Sequence, residues 1–281
     1  MRTSFRTIAV LTLIPIAGLA IFVLWSWAST AAVPAAVSRA SSPPPAAVAE
    51  TAGEPSALPV VKPAAPRIVL IIDDLGFDGQ PLERVMSLDP NINCSILPNG
   101  TKTAEFAERL HERGFEILCH LPMEPRGKET PGRNAILTSM SDEEIVRVTR
   151  ENVEAVPHAR GMNNHMGSRA TADRRVMATV LGALPEGMYF IDSRTTGRSV
   201  AADVARSLKV RTATRTVFLD DEPSEAFVRK QLAALASAAK HRGVAIGIGH
   251  PHAATMRVLE EKLPELRKRG FRLVRASEVV R

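Results

Sequence analysis

From residue 67 to its end, the sequence alternates short apolar runs with amphipathic segments of helical period. This order is typical of a parallel sheet whose strands are joined by helical crossovers, in either a barrel or a doubly wound sheet. Strands are predicted at 68–73, 92–97, 115–121, 161–164, 188–192, 211–218, 244–248 and 272–274. Helices are predicted at 81–86, 103–113, 142–156, 172–184, 201–208, 224–242 and 253–269. The sequence therefore predicts one α/β domain over residues 67–281.

An apolar segment precedes this domain. Residues 8–28 carry no charge, and about 20 apolar residues suffice to cross a membrane. Arg2 and Arg6 lie before the segment and the next basic residue is Arg39, which predicts a cytoplasmic N-terminus. Residues 1–28 are thus expected to be an inner-membrane anchor or, alternatively, a cleaved signal segment. With either one, the domain would be exported to the periplasm or beyond.

Residues 29–66 are rich in Ala and Pro, with few charges and no amphipathic period. Such a segment cannot bury a core, so a disordered linker between anchor and domain is expected. We infer a bacterial envelope protein from this architecture.

The composition disfavours some classes of protein. The net charge is only +6 and aromatic residues make up 4% of the chain, which disfavours a nucleic-acid-binding surface. Two cysteines, Cys94 and Cys119, cannot form a disulfide framework, and both lie in apolar runs. The sequence carries no signal for an oligomeric state.

Polar side chains collect where the predicted strands end, at the edge of the sheet where α/β proteins place their active sites. Four of the seven histidines belong to this group. Its members are Asp73, Asp74, His120, Glu124, Asn163, Asn164, His165, Asp192, Ser193, Arg194, His250 and His252.

A carboxylate with two imidazoles is a common ligand set for a catalytic zinc-type site. An ion there would make its bound water more acidic, a free carboxylate would take the proton, and a histidine would protonate a leaving amine. This chemistry hydrolyses an amide or ester. No nucleophile elbow, zincin motif or P-loop occurs in the sequence. The competing interpretation of Asp73-Asp74, a helix cap, does not explain the gathered histidines.

Several motifs in this sequence resemble those of a known protein family. IIDDLG (71–76) looks like the first motif of polysaccharide deacetylases of the NodB-homology type. Together with EILCHLPMEP, GMNNHMGS, FIDSRT and GIGHPH, it resembles the divergent polysaccharide deacetylase family of bacterial envelope proteins, over residues 69–279. The resemblance implies a single deformed (β/α) barrel of NodB-like type and a divalent metal, most commonly Zn²⁺.

The resemblance also implies a ligand set. Asp73 would be the general base and Asp74 a metal ligand, and His120 matches the first histidine of the second motif. The second histidine of that motif is replaced here by Glu124, a departure from the usual pattern. His165 would supply the missing ligand; alternatively, Glu124 would bind the metal or order a water.

The same comparison implies that His250 is the general acid and that Asp192 orients it. Asn164, Arg194 and His252 are further candidates for contacts to ligands or substrate, although a helix start is equally compatible with His252.

The function implied is deacetylation of an N-acetylated polysaccharide, peptidoglycan or another envelope glycan. One alternative is a catalytically inactive glycan-binding or regulatory module on the same fold, and another is a different amide hydrolase. The basic residues of the polar loop 125–139, which include Arg126 and Arg133, are predicted to contact an acidic or carboxylated substrate; a solvated surface loop is the alternative.

Overall fold

Strands and α-helices alternate along residues 64–281, the part of the chain that the computed structural model describes. The strands are β1 (Arg67–Leu75), β2 (Asn93–Ile96), β3 (Glu116–Met123), β4 (Ala159–Met166), β5 (Tyr189–Asp192), β6 (Thr212–Thr214), β7 (Val217–Phe218), β8 (Val244–Gly249) and β9 (Arg272–Leu273). The helices are α1 (Leu82–Met86), α2 (Thr103–Glu112), α3 (Asp142–Glu154), α4 (Arg174–Gly182), α5 (Ala201–Ser207), α6 (Glu225–Arg242) and α7 (Ala253–Lys268).

The predicted anchor 1–28, and the predicted linker as far as residue 63, lie outside the described residues. Within 64–281, no helix has both the length and the apolar character that crossing a bilayer requires.

Local signals set where the helices begin and end. Ser141 caps α3 in a reciprocal capping box with Glu144, and Ser224 accepts a hydrogen bond from the Phe227 amide at the start of α6. Gly243 follows α6 with φ of 77°, a left-handed conformation that lets the chain turn at once into β8. The predicted order of strands and helices is confirmed, with one exception.

The exception is the predicted strand 211–218, which divides into β6 and β7 on opposite edges of the sheet. The strand order is β6-β5-β4-β3-β2-β1-β8-β7, every pairing is parallel, and β9 adds to β1. Only Arg215 and Thr216 separate the two edge strands. Because three residue steps span at most about 10 Å, the sheet must curl until its edges nearly meet.

Arg215 holds this seam together. Its backbone amide donates to the Asp192 carbonyl, and its guanidinium donates to the carbonyls of Ser193 and Arg194 beyond β5. The same guanidinium lies 4.7 Å from the centre of the Phe218 ring on β7. The predicted parallel α/β fold is therefore present as a curled sheet, and the described strands β6 and β7 do not pair with each other.

Alternation along each strand separates two cores. On β1, Ile68, Leu70 and Ile72 face the helices, whereas Val69 and Ile71 face the hollow of the curled sheet. The hollow contains a small apolar cluster from β1, β3, β5 and β8. Its strand residues are Val69, Ile71, Leu118, Tyr189, Ile191, Ile246 and Ile248.

The C-terminal segment closes the end of the hollow at which the strands begin. Val274, Ala276 and Val280 belong to the inner cluster. Glu116 accepts hydrogen bonds from the Tyr189 hydroxyl at 2.6 Å and the Ser277 amide at 2.9 Å. The opposite end, where the strands finish, remains open for a site.

Gly161 on β4 leaves room for the ring of Tyr189. A methyl group at residue 161 would lie 2.3 Å from the ring, so Gly161→Ala is expected to destabilise the protein by about 1–3 kcal/mol and to lower Tm. Thermal unfolding of Gly161→Ala and of Gly182→Ala measures this. Gly182, at the end of α4, has no neighbouring atom within 4 Å of the added methyl, so its variant should unfold near the wild-type temperature. Equal Tm values for the two variants would contradict this packing.

Candidate active site

The inward-facing positions turn polar at the open end of the hollow. Asp73 follows Val69 and Ile71 in the alternation of β1, and His120 follows Leu118 on β3. By the same two-residue period, Asn163 and His165 point inward from β4 and His250 lies just beyond β8. Asp73 and His120 are each only 2% exposed, whereas His165 and His250 are partly exposed, so the pocket is buried at the strands and open to solvent at its mouth.

Asp74 joins the same pocket through an unusual backbone conformation. In a regular strand, the residue after Asp73 would point to the opposite face. Asp74 instead has φ of 60°, and the pairing of β1 with β2 shifts register between Ile72 and Leu75. The turn brings Asp74 Oδ1 to 3.1 Å from His120 Nε2 and 2.8 Å from His165 Nδ1. Backbone strain at a functional site is a common device.

Asp74, His120 and His165 form a donor set that fits a metal ion. One atom from each lies within 4.8 Å of the others, and ligand atoms around tetrahedral Zn²⁺ are about 3.3 Å apart. Asp74 Oδ1 is buried yet accepts no well-directed hydrogen bond within residues 64–281, despite the two neighbouring nitrogen atoms. Three donor atoms crowd around one point without satisfying each other, as expected of groups that share a cation.

The charge balance also favours a cation. Burial alone would raise the pKa of Asp74, but the adjacent His120 and His165 outweigh it and hold this pKa far below the usual range. Burial opposes protonation of His120, yet the carboxylates of Asp73 and Asp74 raise its pKa. The pocket therefore attracts positive charge at the position between these side chains.

Asn163 connects the ligand set to Asp73. Its Oδ1 lies 2.7 Å from His120 Nδ1 and also accepts from the Ser95 hydroxyl at 2.5 Å. Its Nδ2 donates to Asp73 Oδ1 at 2.8 Å. Because an amide oxygen can only accept, His120 carries its proton on Nδ1 and presents the bare Nε2 to the cation position.

His250 stands on the other side of Asp74, with its Nε2 3.7 Å from Asp74 Oδ2. Its Nδ1 lies 3.0 Å from Asp220 Oδ1, and Asp220 Oδ2 accepts from the His250 amide at 2.7 Å. The carboxylate fixes the ring so that Nε2 faces the pocket. Burial disfavours the charged ring, but the hydrogen bond with Asp220 and the charges of Asp73 and Asp74 together raise the pKa of His250 to about 9.

The prediction that Asp192 orients His250 is wrong. Asp192 has the same strand parity as Phe190, which packs toward the helices, so its carboxylate leaves the pocket. It accepts from the Ser199 hydroxyl and the Arg194 amide, both at 2.8 Å. Asp220, two residues after the end of β7, makes the orienting contact instead.

Asn164 also faces away from the pocket, with the parity of Met162. Its side chain accepts from the Ser193 amide at 2.9 Å and donates to the Met166 carbonyl at 2.7 Å. It therefore joins the ends of β4 and β5. Arg194 is exposed; its amide donates to the Asp192 carboxylate and its carbonyl accepts from the Arg215 guanidinium.

Glu124 binds residues of the loop after β3 and does not join the ligand set. Its Oε2 accepts from both the amide and the hydroxyl of Thr138, at 2.7 and 2.6 Å, and its Oε1 lies 3.5 Å from Arg169. The metal-ligand grouping formed by described residues contains His165 and not Glu124. The alternative in which Glu124 binds the metal is therefore disfavoured.

His252 begins α7 as its N-cap residue, and its ring centre is 5.4 Å from that of His250. With Asp220 these histidines form a second grouping of three donors. Asp220 already accepts from the His250 amide, His250 Nδ1 and the Thr255 hydroxyl, so its carboxylate is satisfied without an ion. This grouping positions His250 and is a poorer metal site than the one at Asp74.

Two pocket residues, Asn163 and Asp220, are absent from the predicted catalytic and ligand sets. Asn163 was visible as a polar strand-end residue, and alternation from the inward Gly161 distinguishes it from Asn164. Asp220 follows an apolar run, Val217 to Leu219, in the same way that Asp73 follows the apolar run 68–72. A polar residue after a strand is thus a usable signal when strand parity is counted.

The sequence was compared with protein-family profiles and with known proteins. The profile of the family described as "Divergent polysaccharide deacetylase" matches residues 70–280. The "Uncharacterized protein YibQ" of Escherichia coli (strain K12) is 37% identical over 217 residues, 77% of this chain and 68% of that protein. An uncharacterized protein of Haemophilus influenzae is 34% identical over 204 residues, 72% of this chain and 73% of that protein.

The crystal structure of the uncharacterized protein ATU2773 from Agrobacterium tumefaciens C58 has a similar fold. It superposes with a TM-score of 0.74 at 21% identity and covers 77% of this chain and 90% of that chain. At this identity, the likeness concerns the fold alone.

Proposed function

Because this chain belongs to the divergent polysaccharide deacetylase family, we propose that it is a metal-dependent hydrolase that removes acetyl groups from an N-acetylated envelope polysaccharide. The observation that carries the proposal is the position of Asp74 Oδ1, buried and without a directed hydrogen bond from the described residues, between two imidazole nitrogens. A candidate base and a candidate acid adjoin it.

Asp74, His120 and His165 would hold the ion, and Zn²⁺ suits this mixture of one oxygen and two nitrogen donors. A divalent cation bound there polarises an acyl carbonyl and makes water a stronger acid. Asn163 keeps His120 in the tautomer that leaves Nε2 free for this role.

In this proposal, Asp73 is the general base. Its burial raises its pKa, against the opposing charges of His120 and His250, which strengthens it as a proton acceptor. Asn163 donates to Oδ1 and leaves the other oxygen, Oδ2, on the side of His120 Nε2, 3.6 Å away. Asp73 would accept a proton from the attacking water as its oxygen bonds to the acyl carbon.

In this proposal, His250 is the general acid. Asp220 holds Nδ1, so the Nε2 proton points into the pocket and is available to the amine nitrogen as the carbon–nitrogen bond breaks. The products are acetate and a free amino group on the sugar. A module that only binds glycan would need neither a base nor an acid beside a ligand set, so the arrangement favours the hydrolase over the binding module.

The envelope placement is part of the proposal. It is supported by the uncharged segment 8–28, by Arg2 and Arg6 before it, and by the linker composition that follows. A domain exported and tethered in this way would meet cell-envelope glycan as its substrate, with the inner membrane as the surface that anchors it.

The test measures metal content of the purified full-length protein by elemental analysis and then acetate release from N-acetylated glycans. Wild type should carry near-stoichiometric metal, and Asp74→Ala, His120→Ala and His165→Ala should each lose it. His158→Ala is the matched control, because that exposed histidine stacks on His111 away from the ligand set. Restoring metal should start acetate release.

Failure to bind any divalent ion on reconstitution would exclude the mechanism. Stoichiometric metal without acetate release from any N-acetylated glycan, peptidoglycan included, would instead favour a glycan-binding or regulatory module.

A further inference from the structure

A groove of about 380 Å³ opens beside the ligand set, a size typical of small-ligand sites. His165 belongs both to its lining and to the ligand set, so a molecule whose reacting group sits at the metal position can extend into the groove. The rest of the lining is mainly apolar, with Phe77, Leu97, Pro122 and Pro131 as walls.

Phe77 is unusual in its exposure. Among the large hydrophobic side chains of residues 64–281, only Phe77 (40% exposed) and Leu208 are exposed, and Phe77 lies three residues after Asp74. The backbone at Phe77 is held in place, because Gln80 Oε1 accepts from the amides of Gly76 and Phe77 while Gln80 Nε2 donates to the Asp74 carbonyl. An open aromatic face held beside a reaction centre is the surface on which a sugar ring packs.

The opposite wall comes from the loop between β3 and α3 and is also held in place. Asn99 donates to the Arg133 carbonyl and Asn152 to the Asn134 carbonyl, each at 2.9 Å. Nearer the strand, the amide of Glu124 and the carbonyl of Ile136 pair at 2.9 Å. The tip at residue 133 is therefore preorganised in spite of the length of the loop.

Of the described residues that line the groove, Arg133 is the only Lys, Arg, Asp or Glu. Arg133 is exposed at the groove, and its guanidinium has neither an ion pair nor a hydrogen bond in the described part of the chain. The acidic residues of the two loops do not line the groove: Asp78 accepts from the Thr101 hydroxyl, Glu124 from Thr138, and the carboxylate of Glu129 lies against Gly127. Arg133 is thus an unoccupied partner for an anion, and guanidinium recognises carboxylates well.

We propose that this groove is a subsite for a sugar residue that carries a carboxylate, with the ring against Phe77 and the carboxylate at Arg133. The subsite deepens the proposed function, on which it rests for the identity of the reacting N-acetyl group. It makes the substrate an acidic, N-acylated glycan in preference to a neutral one.

The test measures equilibrium binding of two probes to the full-length protein by NMR titration. The probes are a disaccharide that contains N-acetylmuramic acid and the same disaccharide with its carboxylate converted to the primary amide. For wild type, we expect the carboxylate to bind about tenfold more tightly than the amide. Arg133→Gln should reduce this ratio to less than twofold, while Phe77→Ala should weaken both probes and keep the ratio.

Arg126→Gln is the matched control. Arg126 belongs to the same loop but contacts Ser168 away from the groove lining, so its variant should keep the wild-type ratio. Equal binding of the two probes by wild type, binding of neither, or an unchanged ratio in Arg133→Gln would overturn the proposal.

The outcomes also separate the subsite from the proposed function. Binding needs no turnover, so a carboxylate preference lost in Arg133→Gln would stand even if no acetate were released. If acetate were released but the two probes bound equally, the proposed deacetylase function would stand and the proposed subsite would be wrong.

Discussion

Replacing Asp73 with asparagine should lower acetate release by about 10²- to 10⁴-fold while the protein keeps its metal. The substitution preserves size in a position that is 2% exposed and removes the proton acceptor next to the ligand set. General base catalysis contributes rate effects of this magnitude. Steady-state acetate release and metal content, measured on the same preparation of Asp73→Asn, test the expectation.

The neighbouring residue provides the control. Asp74→Asn changes the same chemical group one position along the chain, but Asp74 Oδ1 lies between His120 and His165. We expect this variant to lose metal as well as activity. If Asp73→Asn also lost its metal, Asp73 would be a ligand; if it kept wild-type turnover, Asp73 would not be the base.

The sequence allows most of the fold to be predicted because its signals are local. Strand and helix periods, the caps at Ser141 and Ser224, and the glycine after α6 act over a few residues, and they mark the elements to within a few positions. The same locality explains the error at 211–218. These residues form a continuous β-type run, and only tertiary pairing, of β6 with β5 and of β7 with β8, divides it.

The site was predictable in its position and less so in its detail. Its location at the strand ends follows from the parallel topology, and Asp73, Asp74, His120, His165 and His250 do meet there. Which neighbour in a polar pair faces inward depends on strand register. The predictions for Asp192 and Asn164 are wrong because each residue lies one position away from an inward-facing one. A motif comparison that ignores strand register cannot detect this difference.

At Asp74, the motif comparison predicts the site correctly and strand alternation does not. Strict alternation would place Asp73 and Asp74 on opposite faces, yet both reach the pocket because φ is 60° at Asp74. Here the motif comparison was the better guide, since no periodicity signals a register shift within β1. Functional sites are where local rules are expected to fail.

Asn163 should have two separable roles, since one side chain contacts both His120 and Asp73. Asn163→Ala removes both contacts, and we expect metal affinity to fall about 10- to 100-fold, the usual cost of losing a partner of a metal-bound histidine. Turnover at saturating metal should fall as well. Asn163→Asp keeps an acceptor for His120 Nδ1 but replaces the donor to Asp73 with a second carboxylate oxygen, so metal affinity should persist while turnover falls.

Asn164→Ala is the matched control for these variants, because the adjacent asparagine faces the other side of β4 and binds Ser193 and Met166. Loss of the acceptor for the buried Ser193 amide should cost about 1–3 kcal/mol of stability, with metal affinity and turnover close to wild type. Metal titration, acetate release and thermal unfolding of the three variants distinguish these effects. If Asn163→Asp and Asn163→Ala lost metal affinity equally, the hydrogen bond to His120 would not be what orients that ligand, and Asn163 would act on Asp73 alone.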